Sequence, residues 1–313
     1  MKLCISTACY RWMLDAHRRR DRPEHRNFGW PPAFLQSLPP PPPDVTRHDW
    51  MLAKTRDLGL EGFYMHAADV GDVATVEEFG AHMRAAGLIF NGGLTANWAA
   101  TPDEWDRDYR ERAIEHVELN ARSGATIATV THLMAGVHNH FSTDPPIDEQ
   151  IERAIRNFST VLPACRQHGV TLAFENHMDY RLSEVVAIVE ALDSDFARIT
   201  LDTANPFLVL EDPLEGACLA APYTVAVHLK DFTVHPLTET WEPELHWAPV
   251  GRGDSPIAQI LDLLQAQAPD PDNLLAHIEI AGLPQTDPDR WVRSSASHLR
   301  RHAADHFPNQ AAA

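Results

Sequence analysis

The sequence predicts an α/β fold, a single (β/α)8 barrel spanning residues 1–313. Three observations lead there. Eight short β-rich runs alternate with stretches of helical spacing, glycines stand just before several of those runs, and 313 residues suit one barrel with insertions. A doubly wound sheet would instead need a Gly-rich loop after its first strand, and Thr7–Leu14 contains no glycine.

The strands, in order, are KLCISTAC (2–9), LEGFYMH (60–66), LIFNGGL (88–94), ATIATVTH (125–132), TLAFENH (171–177), ITLDTAN (199–205), TVAVHLKDF (224–232) and LLAHIEI (274–280). Gly59, Gly87, Gly124 and Gly169 each precede a strand, where the end of a helix calls for a left-handed residue. Between strands, 103–122 carries Trp105, Tyr109, Ala113, His116 and Val117 at helical intervals. In 148–168, Ile151, Ile155, Phe158 and Leu162 recur every three or four residues. Two insertions break the rhythm. Residues 11–44, between the first strand and its helix, carry Arg18–Arg20 and the proline run Pro39–Pro43. Residues 233–256, after strand seven, hold Trp241, Trp247 and the turn GRGD (251–254). In a barrel both are extended βα loops on the face where active sites sit. The prolines read as a stiff spacer, a lid or a subunit contact.

Composition excludes several classes. With 26 basic and 44 acidic residues the net charge is −18, which opposes broad nucleic-acid or anionic-membrane binding. No apolar run approaches the ~20 residues that span a bilayer. Met1–Tyr10 is followed at once by Arg11, Asp15 and Arg18–Arg20, so a cleaved secretory leader is not expected and a cytoplasmic location is. Cys4, Cys9, Cys165 and Cys218 lie far apart with no CxxC, which supports neither a disulfide framework nor a zinc knuckle.

The chemistry sits at strand ends. A barrel strand buried on both faces should be nearly all apolar, yet four consecutive strands carry Glu175, Asp202, His228 and Glu279 near their C-terminal ends. Alternation sets Leu172 and Phe174 against Ala173, Glu175 and His177. It sets Ile199 and Leu201 against Thr200, Asp202 and Ala204, and Val225, Val227 and Leu229 against Ala226, His228 and Lys230. In the last strand Ala276, Ile278 and Ile280 oppose His277 and Glu279. Each apolar set would face the helices, and each ionisable set the barrel mouth. Singly, each polar residue also reads as a loop cap or surface ion pair. Jointly they point three carboxylates and an imidazole at one region, a costly arrangement that a divalent cation relieves. An oxygen-rich set with one imidazole suits Mn2+, Mg2+ or Co2+ ahead of Zn2+.

The motifs FENH (174–177), LDTAN (201–205), HLKD (228–231) and HIEI (277–280) resemble the strand five to eight signatures of the xylose-isomerase-like TIM barrels. That superfamily holds sugar (phosphate) isomerases and epimerases, with inosose dehydratase and endonuclease IV as relatives. The resemblance covers the second half of the chain well and the first half only in layout; 11–44 departs from it. It implies Glu175, Asp202, His228 and Glu279 as metal ligands, and Glu175 and Glu279 also as the acid/base pair. Lys230 would suit a developing oxyanion or a substrate carboxylate, or would balance the acidic site. His177 could bind substrate hydroxyls or support a ligand from behind. His132, placed on the inward parity of Ala128 and Val130, resembles a substrate-binding histidine and equally reads as a core histidine. Asn205 stands where many epimerases have a substrate-contacting histidine. Arg252 resembles part of the family's Gly-x-Gly loop before the last helix, where it would meet an anion or lie exposed. His66, His138 and His140 have weaker claims, and His277 reads as structural.

The resemblance implies a divalent-metal-dependent isomerase or epimerase of a sugar, keto-sugar or polyol, abstracting a proton beside a metal-bound carbonyl through an enediolate. The alternative is a lyase using the same site: a dehydratase, a 3-keto-glycoside eliminating deglycosidase or a 3-keto acid decarboxylase. An endonuclease would need more ligands and a basic groove, and a non-catalytic scaffold would be expected to have lost a ligand. The partner expected is a small carbohydrate-like molecule, without nucleic acid or membrane. A homo-oligomer is the family-level expectation, and a hetero-oligomer stays open.

Overall fold

A computed structural model describes residues 1–10, 45–132, 138–236, 243–280 and 287–310. The insertion expected over 11–44 lies outside the described residues. Strands β1 (Lys2–Ser6), β2 (Gly62–Tyr64), β3 (Ile89–Ala96), β4 (Ile127–His132), β5 (Thr171–Glu175), β6 (Ala197–Asp202), β7 (Thr224–Leu229) and β10 (Leu275–Ile278) close into a barrel in the order β1-β10-β7-β6-β5-β4-β3-β2. Its neighbouring strands all run parallel, for example Asp202 beside His228 and His277 beside His228. Strands β8 (Asp231–Pro236) and β9 (Pro243–Ala248) form a separate antiparallel hairpin. The helices used below are α3 (Arg110–Ser123), α4 (Ile147–Ser159), α5 (Leu162–His168), α8 (Ile257–Gln267) and α9 (Pro288–His302), with α1 (Arg47–Asp57), α2 (Val73–Ala85), α6 (Leu182–Leu192) and α7 (Pro213–Ala220) completing the outer ring. This is the (β/α)8 barrel the sequence predicts.

Local chemistry sets the boundaries. Gly59, Gly87, Gly124 and Gly169 have φ of 64°, 66°, 85° and 68°, the left-handed conformation that lets each helix end and a strand begin. The stretch 148–168 is two helices, not one. Pro163 has no N–H to bond the Ser159 carbonyl and its ring crowds that carbonyl, so the chain breaks at Thr160–Val161. Likewise α3 is preceded by a π-helical turn, Trp105–Tyr109. There the wholly buried Trp105 packs on Trp98 with ring centroids 4.9 Å apart, and its indole donates to Thr160 at 2.9 Å.

Three boundaries differ from expectation. β1 stops at Ser6, where the chain enters a 3-10 turn over Thr7–Tyr10. The seventh strand ends at Leu229 and not at Phe232, because Asp231 already begins the hairpin; part of the loop expected over 233–256 is therefore β8 and β9. The GRGD turn precedes α8, not the last helix, α9.

Two cores result. Outside the barrel, Leu172, Phe174, Ile199, Leu201, Val227 and Ile278 pack under the helices. Inside, polar side chains meet: Asn91 Nδ2 donates to Thr129 at 3.1 Å, and the Thr129 and Thr200 hydroxyls meet at 3.0 Å. β4 and β6 are not neighbours in the sheet, so that last bond crosses the lumen. It corrects the facing assigned to His132. Thr129 points inward, which leaves His132 on the opposite parity, with Ala128 and Val130, both members of the helix-side core.

Candidate metal centre

At the C-terminal ends of β5, β6 and β7, and just past β10, Glu175, Asp202, His228 and Glu279 converge, each offering one ligand atom within 4.8 Å of the others. Their exposures are 2%, 0%, 1% and 9%. His228 Nδ1 lies 3.1 Å from Glu175 Oε1 and 3.3 Å from Glu279 Oε2. Lys230 Nζ lies 2.5 Å from Asp202 Oδ2 and 3.0 Å from Glu279 Oε1. The four residues expected from strand alternation are thus brought together, with Lys230 among them.

The surrounding backbone explains how they hold position. Asn176 extends the β5–β6 ladder with its side chain, accepting from Asp202 N at 2.6 Å and donating to Asp202 O at 3.1 Å. Asp202 Oδ1 accepts from the backbone of Ala204 and Asn205, both at 2.9 Å, which leaves Oδ2 facing the cluster. The Thr203 hydroxyl donates to Lys230 O and accepts from Lys230 N, at 2.6 and 2.9 Å. Cys9 brackets Glu279: its thiol donates to Ile278 O at 3.2 Å and accepts from Ile280 N at 3.3 Å. Tyr64, from β2, lays its ring 5.2 Å from that of His228.

Electrostatics follow from burial and proximity. Burial opposes protonation of His228, but Glu279 and Glu175 outweigh it and carry the imidazole up to about 9. Burial likewise opposes the charge on Lys230, and Asp202, Glu279 and Glu175 raise its pKa regardless. Glu279 is held low against its own burial by Lys230 and His228, whereas burial wins at Asp202 and raises it. Three buried carboxylates are therefore offset only by one ammonium and one imidazole. A divalent ion fits this donor set. Atoms held at about 2.0–2.4 Å from one centre lie no more than roughly 5 Å apart, which these do.

The other expected residues divide. Asn205 is 1% exposed and accepts from Lys230 Nζ at 3.2 Å, so it belongs to the site. His177 sits beside it, paired with Asp179 at 3.4 Å. His132 packs on Tyr180 and His138, with centroids 5.3 and 6.0 Å away, and is not among the four clustered residues. His138 bonds Asn97, His140 bonds Glu184, and Tyr64 bonds His66. His277 lies one layer down, its ring 5.6 Å from His228. The Arg252 side chain is exposed, and its backbone N–H donates to Pro249 O and Asp231 Oδ2, at 2.9 and 3.2 Å.

Sequence reasoning missed Asp231, which is wholly buried and accepts from the backbone of Gly251, Arg252, Gly253 and Ser255 at 2.9–3.2 Å. It ties the GRGD turn to the residue after Lys230. A surface cavity lined by Glu190, Asp193, Asp195, Arg198 and Tyr223 lies at the other end of the barrel, before β6 and β7. In (β/α)8 barrels that end serves stability, and active sites sit at the opposite one. No helix among the described residues is long and apolar enough to cross a membrane.

Comparison with known proteins extends the geometry. A 3-oxo-isoapionate decarboxylase of Pectobacterium atrosepticum is 30% identical over 147 residues, 43% of this chain and 52% of that protein. The chain thus spans about half the length of this relative. The structure of a D-psicose 3-epimerase from Clostridium cellulolyticum H10, with D-tagatose, matches with a TM-score of 0.65 at 14% identity, over 96% of this chain and 99% of that one. A xylose isomerase-like TIM barrel protein from Mycobacterium smegmatis, in complex with magnesium, matches with a TM-score of 0.60 at 18% identity, over 84% and 90%. At these identities the likeness is one of fold. The model of the family described as xylose isomerase-like TIM barrel matches residues 52–302, and the chain belongs to that family.

Proposed function

We propose that this chain is a divalent-metal-dependent lyase that removes carbon dioxide from a small polyhydroxylated 3-oxo acid. The observation that carries this reading is Lys230, an ammonium 2% exposed and held beside Asp202 and Glu279. A fixed buried cation next to a metal centre suits an anionic substrate, in addition to offsetting Asp202 and Glu279. The partial likeness to 3-oxo-isoapionate decarboxylase supports the same choice.

Glu175, Asp202, His228 and Glu279 would hold the ion, with manganese expected from the oxygen-rich set. When bound, the ion would withdraw electrons from the substrate's ketone oxygen and so stabilise negative charge on the adjacent carbon. The bond that breaks joins that carbon to the carboxyl group; its electron pair stays on the carbon, carbon dioxide leaves, and a solvent-derived proton replaces it. Lys230 orients the carboxylate before cleavage. Glu175 and Glu279, both against His228 Nδ1, would pass the proton.

That placement also favours the isomerase or epimerase reading, in which one glutamate removes a proton and the other returns it. Manganese-loaded protein in D2O, given carboxyl-13C-labelled 3-oxo acids and a set of ketoses, separates the two. The proposal expects labelled bicarbonate and one solvent deuterium in the product. Deuterium entering a ketose with all its carbon retained would establish the epimerase reading, and neither outcome with the ion bound would remove both.

A further inference from the structure

We propose that Asn205 and Lys230 together form a two-donor clamp for a substrate carboxylate, which makes Asn205 a specificity-determining residue. The inference rests on the lyase reading above and assigns the recognition of its anionic group to particular atoms.

Asn205 begins the short 3-10 helix Asn205–Val209, three residues after Asp202. Its backbone N–H donates to Asp202 Oδ1 at 2.9 Å, so the carboxylate that faces the ligand cluster also anchors this residue. The carboxamide is nearly sealed from water, at 1% exposure. Lys230 Nζ donates to its Oδ1 at 3.2 Å. An ammonium has three protons and no lone pair, so only the oxygen end of the carboxamide can face it. That fixes the other end as well. Nδ2 is buried and finds no acceptor among the described residues.

A buried N–H2 without an acceptor is costly, and here Lys230 stops it from turning to a different partner. The site therefore presents the unused carboxamide N–H2 of Asn205 beside the Lys230 ammonium, whose three protons already meet Asn205 Oδ1, Asp202 Oδ2 and Glu279 Oε1. Such a pair matches the two oxygens of a carboxylate, one taking the Asn205 N–H2 and the other a proton that Lys230 transfers from its contact with Asp202 or Glu279, the two carboxylates that would turn to a divalent ion. The far side of the ammonium is closed by the Trp247 ring of β9, whose centroid lies 5.6 Å from Nζ. Trp247 is itself held edge-on against Phe232 at 4.6 Å. The clamp thus opens only toward the metal ligands and Asn205.

The test uses manganese-loaded protein titrated calorimetrically with D-erythronate and with L-erythrulose, an anionic and a neutral probe of equal chain length. Asn205→Leu removes the donors, and Asn205→Asp replaces them with like charge at the same volume. Melting temperature and manganese stoichiometry show that each variant is folded and loaded. The clamp predicts that erythronate affinity falls tenfold or more in Asn205→Leu and further in Asn205→Asp, while erythrulose affinity changes less than threefold. Equal changes for both probes, unchanged erythronate affinity, or no erythronate binding to the wild type would overturn it. If no 3-oxo acid loses carbon dioxide and the selective loss of erythronate persists, the clamp stands and the decarboxylation reading falls.

Discussion

Lys230→Met removes one buried positive charge from among three carboxylates while nearly preserving side-chain length. In the wild type that charge sits 2.5 Å from Asp202 and 3.0 Å from Glu279, both in a site from which water is excluded. Removing one partner of such a buried pair costs about 3–5 kcal/mol, since the stranded carboxylates keep their desolvation penalty. At about 2.1 cal/mol/K of unfolding entropy per residue, the 313-residue chain has roughly 0.66 kcal/mol/K. The loss therefore corresponds to a melting temperature lower by about 5–8 °C in EDTA. Manganese changes the balance, because a divalent ion offsets the same carboxylates and binds more tightly once Lys230 no longer competes. By linkage, saturating manganese should raise the melting temperature more in Lys230→Met than in the wild type, recovering at least half of the loss. Circular dichroism melts of both proteins, with EDTA and with manganese, provide the comparison. Equal losses in the two conditions, or a variant more stable than the wild type in EDTA, would refute the reasoning.

Two further predictions concern the supporting structure. Burial pushes His132 down to about 4 and His277 to about 3, so both stay neutral in the fold while the unfolded chain protonates below about 6.5. Their contribution is complete above that pH and is lost as pH falls toward the folded values; at pH 5 each accounts for about 2 kcal/mol. Urea denaturation in EDTA at pH 7.5 and pH 5 should show His277→Gln losing about 2 kcal/mol less than the wild type, and identical slopes would contradict this. Gly253→Ala would drive a methyl group into the Asp231 carboxylate and the Phe232 carbonyl. Gly87→Ala meets nothing within 4 Å and bears only the strain of φ 66°. Denaturant midpoints should therefore place Gly253→Ala below Gly87→Ala, by about 1–2 kcal/mol, and the reverse order would refute the Asp231 anchor.

Much of this structure is legible along the chain because its determinants are local. Gly59, Gly87, Gly124 and Gly169 mark helix ends, and they do so with left-handed backbone. Glu175, Asp202, His228 and Glu279 interrupt otherwise apolar strands at matching positions, so period-two alternation alone aims them at one place. His132 shows the limit of carrying a resemblance across that rule. Applied to 127–132 as to the other strands, alternation sends Thr129 and Thr131 inward and His132 with the apolar set, which is what the Thr129–Thr200 bond reports. The hairpin escaped notice because Asp231–Pro236 continues the pattern of β7; only its pairing with Pro243–Ala248 distinguishes it. Asp231 is illegible for a related reason, since its acceptors' partners lie 20 to 24 residues away in a turn it folds around itself. Tyr64 offers no signal either, because an aromatic residue in a buried strand looks the same whether it packs on leucine or on the histidine of a candidate metal centre.

The central claim is that Glu175, Asp202, His228 and Glu279 hold one divalent ion. Protein stripped with EDTA and titrated with manganese, with bound ion counted by electron paramagnetic resonance, tests it most directly. The account predicts one ion per chain, and at least a hundredfold weaker binding in Asp202→Asn with the melting profile of the stripped protein still cooperative. A chain that takes up no ion, or an Asp202→Asn variant that binds manganese as the wild type does, would contradict it.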